Sequence, residues 1–175
     1  MTLGIIKINH MNTPVSRRCR LMIKRRVRRP KNQEDIYKEL TDKNEFGVFS
    51  SYKDIFMIAG LVGYLNDKRV EFEKSAEGID WGVFNMQSDE TVINSVALNT
   101  THDLNILIDN EEMFDKKIKI YEEFAAGGIP ILYEKIQENK RYASNTLFDL
   151  IMEMKNYRGS KEHDIAAIAD IISFE

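Results

Sequence analysis

Residues 52–66 read YKDIFMIAGLVGYLN and contain the longest apolar run of the chain, which extends from Ile55 to Leu65. Ser50 or Ser51 is a suitable N-cap for a helix that starts here. Apolar side chains cover almost its whole circumference, and a helix that is apolar all round is a buried one. Gly60 and Gly63 lie one turn apart, which predicts close approach of a second backbone. We therefore expect a central helix with these side chains largely buried: Ile55, Phe56, Ile58, Ala59, Leu61 and Val62.

Helical spacing of apolar residues recurs on both sides of this segment. A helix capped by Asp109 or Asn110 is expected to stop or kink at Gly127-Gly128, with Pro130 in the first turn of a new helix. A short helical turn is expected from Asp103. The other expected helices cover about residues 32–40 (with Asn32 as a possible cap), 89–100, 130–139, 145–156 and 162–172.

Few segments of the chain have the residue pattern of a strand. Residues 69–72 are a candidate for a short strand, and residues 17–29 for an extended arm or an edge strand ended by Pro30. Residues 79–84, with the single tryptophan, are expected to lie over the core. The predicted fold class is mainly α. It is a single-domain helical fold around a central apolar helix at about 52–66, with at most a small β-hairpin near 68–84.

Length and composition exclude several classes of protein. The chain has 175 residues, of which 43% are hydrophobic, and this is enough for one domain with a real core. Cys19 is the single cysteine, so an intramolecular disulfide or a multi-cysteine metal scaffold is excluded. No apolar run reaches the roughly 18 to 20 residues of a membrane helix, and residues near the N-terminus lack the apolar stretch that is typical of a signal peptide. These features predict a cytoplasmic protein.

Charge is distributed very unevenly along the chain. Residues 1–31 contain ten basic residues and no acidic one, whereas the remaining 144 residues contain 15 basic and 28 acidic residues. We therefore divide the chain into a basic N-terminal arm (1–29), a helical core domain (30–157) and a C-terminal helical extension (158–175). Because residues 1–21 carry little periodic apolar pattern, we expect them to pack poorly against the body. We also expect translation to start at Met22.

No group of residues has the pattern of a catalytic or metal site. His10, His102 and His163 each stand alone, without the spacing of a zinc site. Cys19 is interpreted as incidental. The glutamate pairs 71/73, 111/112 and 122/123 lack the lysine spacing typical of many metal-dependent nucleases, and we interpret them as solvated faces. The sequence therefore predicts no enzyme activity, no cofactor and no metal ion.

The basic arm is the strongest candidate for a functional segment. A block of like charge without compensating acid usually binds a polyanion, and its arginines and lysines could contact several DNA phosphates. The arm has no aromatic residue, so base stacking is not expected. We predict weak, non-specific DNA contact through Arg17, Arg18, Arg20, Lys24, Arg25, Arg26, Arg28, Arg29 and Lys31.

Several motifs, spread over about residues 27–156, follow the pattern of one protein family. They are Val27–Lys31, Glu34–Leu40, Phe49–Tyr64, Asp67–Arg69, Ile79–Phe84, Ala125–Ile129 and Leu132–Glu134. In these motifs the chain resembles the DNA phosphorothioation-associated protein 4 family. Residues 1–21 and 158–175 extend beyond the resemblance.

The resemblance implies an accessory protein of a bacterial system for restriction–modification and anti-phage defence. Such systems replace a non-bridging phosphate oxygen of DNA with sulfur, or restrict DNA that lacks this mark. The resemblance carries over no catalytic residue, and it implies larger subunits of the system as partners. Two functions stay open: a DNA-binding accessory protein that uses the arm, and a protein–protein adaptor whose acidic body docks on a larger subunit. The oligomeric state stays open as well.

Overall fold

The computed structural model describes residues 25–44 and 47–156. The expectations for residues 1–21, for Met22 as the start and for a helix over 162–172 lie outside these residues. Five α-helices carry the described fold: α1 (Glu34–Thr41), α2 (Tyr52–Leu65), α3 (Asp89–Thr101), α4 (Glu111–Glu138) and α5 (Ala143–Asn156). Single 3-10 turns cover Lys31–Gln33, Trp81–Val83, Leu104–Leu107 and Lys140–Tyr142. The mainly α class is confirmed.

The centre of the fold is the crossing of α2 and α4, which share the largest interface between elements. Gly60 faces the ring of Tyr121, and Gly63 faces the main-chain carbonyl of Phe124. On the opposite helix, Gly128 faces the main-chain carbonyl of Ala59, so a Cβ atom at any of these glycines would collide. Close approach of a second backbone is therefore confirmed. Ile55, Phe56, Ala59 and Val62 are fully buried, whereas Ile58 and Leu61 are half-buried against the same core.

Helix α4 is continuous, and the prediction of a break at Gly127-Gly128 with a new helix from Pro130 is wrong. Two contacts explain why this segment stays helical. Gly128 leaves room for the main chain of α2 at the crossing, and Gly127 leaves room for the main-chain carbonyl of Lys68. Pro130 cannot donate to the carbonyl of Ala126, and the buried side chain of Gln33 donates to that carbonyl instead, at 2.7 Å.

The β-structure differs from the expected hairpin near 68–84. Strand β1 (Arg26–Val27) pairs antiparallel with β2 (Ile79–Asp80), so the partner strand comes from the arm. Residues 69–72 form no strand, because the amide of Val70 donates to the carbonyl of Glu123 in α4 instead of to a neighbouring strand. The expectation of an edge strand is confirmed for Arg26 and Val27.

The remaining elements cover the two central helices. Trp81 stacks on Phe84 and meets Phe114 edge-on, so the tryptophan segment lies over the core as expected. Of the two cap candidates expected at α2 and at α4, the structure uses Ser51, which accepts from the Asp54 amide, and Asn110, which accepts from the Met113 amide. Asn32 is not a cap, because it lies inside the 3-10 turn that precedes α1.

Candidate interaction site

Residues 25–29, the described part of the basic arm, and the two residues that follow them are built into the body by their main chain. Val27 is fully buried, and the carbonyls of Arg25 and Arg29 accept from the amides of Trp81 and Ala76. The amide of Arg28 donates to the Glu122 carboxylate at 2.7 Å. Successive side chains of this extended segment lie on opposite faces, so Arg25, Val27 and Arg29 are turned inward while Arg26 and Arg28 are exposed.

Arg25 and Arg28 contact the body through charged and polar groups. The Arg25 guanidinium pairs with Asp115 of α4, and its Nη2 lies 3.6 Å from the buried carboxylate of Glu122. The Arg28 side chain donates to Ser75 Oγ at 3.0 Å and to the Phe72 carbonyl at 3.1 Å, and it lies over the Phe72 ring. Both side chains therefore hold the arm against α4 and against the segment 72–75.

Arg29 is the most deeply buried cation of the described arm, at 3% exposure. Its guanidinium lies over the rings of Tyr37 and Tyr52, with Cζ 5.0 Å and 4.6 Å from the ring centroids. Its Nε donates to the carbonyl of Glu77 at 3.1 Å. A guanidinium held between aromatic faces is out of reach of a DNA backbone. Arg29 is thus a structural residue of the junction between the arm, α1 and α2.

The other predicted DNA contacts have a different environment. Arg26 is exposed and forms a surface pair with Glu77 at 3.0 Å. Lys31 is exposed as well, and its main-chain amide donates to the Lys74 carbonyl. Among residues 25–31, the exposed cations that a polyanion could reach are these two and Arg28. The remaining candidates lie outside the described residues: Arg17, Arg18, Arg20 and Lys24.

A cleft of about 550 Å³ lies beside Arg28 and is lined by both signs of charge. Glu71 and Glu73 contribute exposed side chains, as expected for a solvated face. Glu122 and Glu123 line the same cleft, and each is only 2% exposed, so their interpretation as a solvated face is wrong. The sequence feature that could have predicted their burial is their position inside the apolar stretch of α4, in a chain whose N-terminal arginines need acidic partners.

The two buried glutamates are balanced by cations from other elements. Arg69 Nε donates to Glu123 at 2.6 Å, and Lys119 lies 3.6 Å from the same carboxylate. Burial raises the pKa of the Glu122 carboxyl, while the Arg28 amide and the Arg25 guanidinium act in the opposite direction. The cleft is thus the place where the basic arm and the acidic body neutralise each other.

Apolar side chains are exposed at two other places on the body. Helix α5 packs on the core through Ala143 and Leu150 but turns Phe148, Ile151 and Met152 outward, and Phe148 is 61% exposed. These three residues, which we call the α5 outer face, have the spacing of one helix side. In the loop before α4, exposed apolar side chains follow one another closely: Leu104, Leu107 and Ile108.

The described residues contain no cluster of three or more His, Cys, Asp or Glu side chains that could hold a metal ion. Within the same residues, no helix combines the length and the apolarity that crossing a membrane requires.

Comparison with known proteins adds one finding. The sequence model of the family described as DNA sulphur modification system-associated protein 4 matches residues 26–168. This match agrees with the resemblance noted above and runs past residue 157 into the C-terminal extension. No curated protein and no solved structure matches the chain. Because the match covers most of the 175 residues, the chain belongs to the family of DNA sulphur modification system-associated protein 4.

Proposed function

We propose that this protein is a non-enzymatic adaptor of the DNA sulphur modification system, which docks its acidic body on a larger subunit of modification or restriction. The observation that carries the proposal is the position of the arm. The guanidinium groups of Arg25, Arg28 and Arg29 are engaged by groups of the chain itself, and DNA phosphates would have to compete with these contacts at Arg25 and at the exposed Arg28. The proposal includes an accessory role in anti-phage defence, in the cytoplasm where the chromosome lies, and the association of the family with DNA sulphur modification supports it.

The α5 outer face is the surface that we assign to the partner. Single exposed apolar residues are common on protein surfaces. Several exposed apolar side chains next to one another on one helix face are instead typical of a protein–protein contact. Residues 32–175 carry a large excess of acidic side chains. The complementary partner surface is therefore an apolar groove with a basic rim.

The docking proposal is tested by affinity capture of the tagged full chain from its native host, with nuclease treatment. We expect subunits of the modification system to be retained after nuclease, and to be lost in the variant Phe148→Asp/Ile151→Asp. The matched control is Met86→Asp, which alters an apolar residue of similar exposure in the loop before α3. Loss of the subunits on nuclease treatment would contradict the adaptor function. A dimer of the chain that the α5 variant abolishes would assign this face to self-association instead.

DNA contact through the arm is the second candidate, supported by the charge of residues 1–31. It rests on Arg17, Arg18, Arg20 and Lys24, together with the exposed Arg26, Arg28 and Lys31. If about five phosphates are neutralised, log K should fall with log salt at a slope near −4 to −5, at roughly 0.9 per contact. Fluorescence polarisation with duplex DNA at several salt concentrations measures this slope. Arg17→Ala/Arg18→Ala/Arg20→Ala should flatten it, and an absence of binding at low salt would exclude this candidate.

A further inference from the structure

We propose that the outer side of α3, together with the loops at its two ends, is the surface on which two copies of this chain pair. This surface belongs to residues 81–108, which contain the 3-10 turn Trp81–Val83, helix α3 and the 3-10 turn Leu104–Leu107. We call it the α3 face. It uses none of the residues of the α5 outer face, so it does not rest on the proposed docking function.

Exposed apolar side chains are concentrated on the α3 face. The described residues expose ten large apolar side chains, and five of them lie within residues 81–108. Val83 and Met86 precede α3, whereas Leu104, Leu107 and Ile108 follow it, with Leu104 at 75% exposure. Apolar groups exposed this densely are typical of a surface that another molecule covers.

The α3 face is almost free of exposed charge, although charged residues make up 30% of the chain. Asp89 and Glu90 are buried, so Asp103 is the one exposed side chain among the Asp, Glu, Lys and Arg residues of this segment. The Asp103 carboxylate accepts from the main-chain and side-chain amides of Asn105. Covering the α3 face therefore removes few charges from water, and this lowers the cost of a contact there.

The exposed polar side chains of α3 already form hydrogen bonds inside the helix. Thr91, Ser95 and Asn99 lie one turn apart, and each donates to the main-chain carbonyl four residues before it, at 2.7–2.8 Å. A second molecule that covers Thr91 and Ser95 thus leaves neither hydroxyl donor without an acceptor. These side chains are also short, so ordering them costs less conformational entropy than ordering Lys or Glu.

Charge favours a second copy of the chain as the occupant. Residues 32–175 contain 28 acidic and 15 basic residues, so two copies repel each other wherever their carboxylates meet. The α3 face is a surface on which two acidic bodies can touch without this repulsion. A basic subunit would gain more at a surface with exposed carboxylates, such as α5 with Asp149 and Glu153.

The positions of the apolar side chains suit a two-fold axis at the middle of α3. A two-fold contact requires a surface that is complementary to itself. Helix α3 has 13 residues and is about 20 Å long, with Ser95 at its middle. Met86 and Leu104 each lie nine residues from Ser95 along the chain. Antiparallel pairing of two α3 helices therefore brings Met86 of each copy toward Leu104 of the other.

The test begins with sedimentation equilibrium of the full chain, from micromolar to near-millimolar concentration. We expect a reversible monomer–dimer equilibrium. Added NaCl should tighten the dimer, because salt screens the repulsion between the two acidic bodies. Docking on a basic subunit should instead weaken in salt, so the two proposals fail independently.

Variants locate the contact. Met86→Asp and Leu104→Lys each place a charge on the α3 face at an exposed position, and each should weaken the dimer about tenfold or more. An equimolar mixture of the two variants should associate again, because the new carboxylate of one copy faces the new ammonium group of the other. The matched controls are Val70→Asp and Val70→Lys, at an exposed valine outside the α3 face, together with Phe148→Asp/Ile151→Asp. These controls should dimerise like the parent chain.

The outcomes decide the proposal. Loss of the dimer in both α3-face variants and its recovery in the mixture would support it. A parent chain that stays monomeric at near-millimolar concentration would overturn it. So would a dimer that only the α5 variant abolishes, a dimer that neither α3-face variant weakens, or a mixture that stays monomeric.

Discussion

The carboxylate of Glu122 is buried at the junction between α4 and the arm. Its oxygen accepts from the Arg28 amide at 2.7 Å, and Arg25 Nη2 lies 3.6 Å from it. A buried carboxylate without such partners would be expelled or protonated. Because Glu122 contacts the arm, its protonation state affects how stably the arm is held against α4. This gives a prediction for the stability of the fold.

We expect stability to depend on pH through Glu122. Burial raises its folded pKa above the ordinary value of 4.5, so the folded state binds this proton more tightly than the unfolded state does. The contribution of Glu122 is therefore fully present below pH 4.5 and is lost as pH rises through the raised pKa. Each unit of difference corresponds to about 1.4 kcal/mol.

Glu122→Gln keeps an acceptor for the Arg28 amide and removes the titration. Urea unfolding of parent and variant should give similar free energies of unfolding below pH 4.5, and the parent should become less stable than the variant as the pH rises toward neutral. Glu112→Gln, at an exposed position of the same helix, is the control. A difference that stays constant across this range would contradict the assignment.

Gly128 is predicted to be the least replaceable glycine of α4. A Cβ atom there would collide with the main-chain carbonyl of Ala59, which has no freedom to move. Gly128→Ala should lower the free energy of unfolding by about 1–3 kcal/mol, even though alanine favours a helix by about 1 kcal/mol. Gly82→Ala is the control, since only the flexible Asp80 side chain lies near it. Equal stability of both variants in urea would remove the argument for a close crossing.

At the scale of elements, α4 depends on a side chain from outside the helix. Pro130 leaves the Ala126 carbonyl without its usual amide donor, and Gln33 supplies the missing hydrogen bond at 2.7 Å. The 28-residue helix is thus completed by the turn before α1. The same end of α4 is tied to α1 again where Tyr133 donates to Glu39 at 2.6 Å.

A double-mutant cycle tests the role of Gln33. Gln33→Ala alone should cost about 1–3 kcal/mol, because it leaves a buried carbonyl without a donor. In the Pro130→Ala background the amide of residue 130 can donate to that carbonyl, so the same change should cost less. We expect a coupling free energy of about 1 kcal/mol in urea unfolding. Additive effects of the two substitutions would contradict this role.

At the scale of the whole molecule, part of the basic arm belongs to the fold. Replacing Arg25, Arg26, Arg28 and Arg29 with alanine should therefore lower the free energy of unfolding by at least about 2 kcal/mol, through lost packing and charge-assisted hydrogen bonds. Arg26→Ala alone should change it by less than about 1 kcal/mol, since its pair with Glu77 lies at the surface. Thermal and urea unfolding of both variants measure this. Equal stability of the fourfold variant and the parent would show that the arm is not part of the folded body.

Much of the fold follows from local pattern. The central helix, its Ser51 cap, the start of α4 at Asn110 and the inward position of Trp81 each depend on residues close in sequence, so periodicity and capping rules predicted them. The break expected at Gly127-Gly128 was wrong, because glycine and proline end a helix only when nothing outside the helix satisfies its backbone. The candidate site was predicted in part, since composition identified the basic segment but not its partners.

The sequence by itself determined the helical class, the buried helix at about 52–66 and the separation of charge between residues 1–31 and the rest, because these properties depend on composition and on short-range spacing. Only the tertiary structure decided where the arginines go. It pairs Arg25 with Asp115, ninety residues away, and encloses Arg29 between Tyr37 and Tyr52. Such partners are distant in sequence, and charge pattern alone does not distinguish a cation that faces solvent from one that the chain neutralises itself. The physical reason is that burial and pairing are properties of the packed chain, whereas periodicity is a property of its segments.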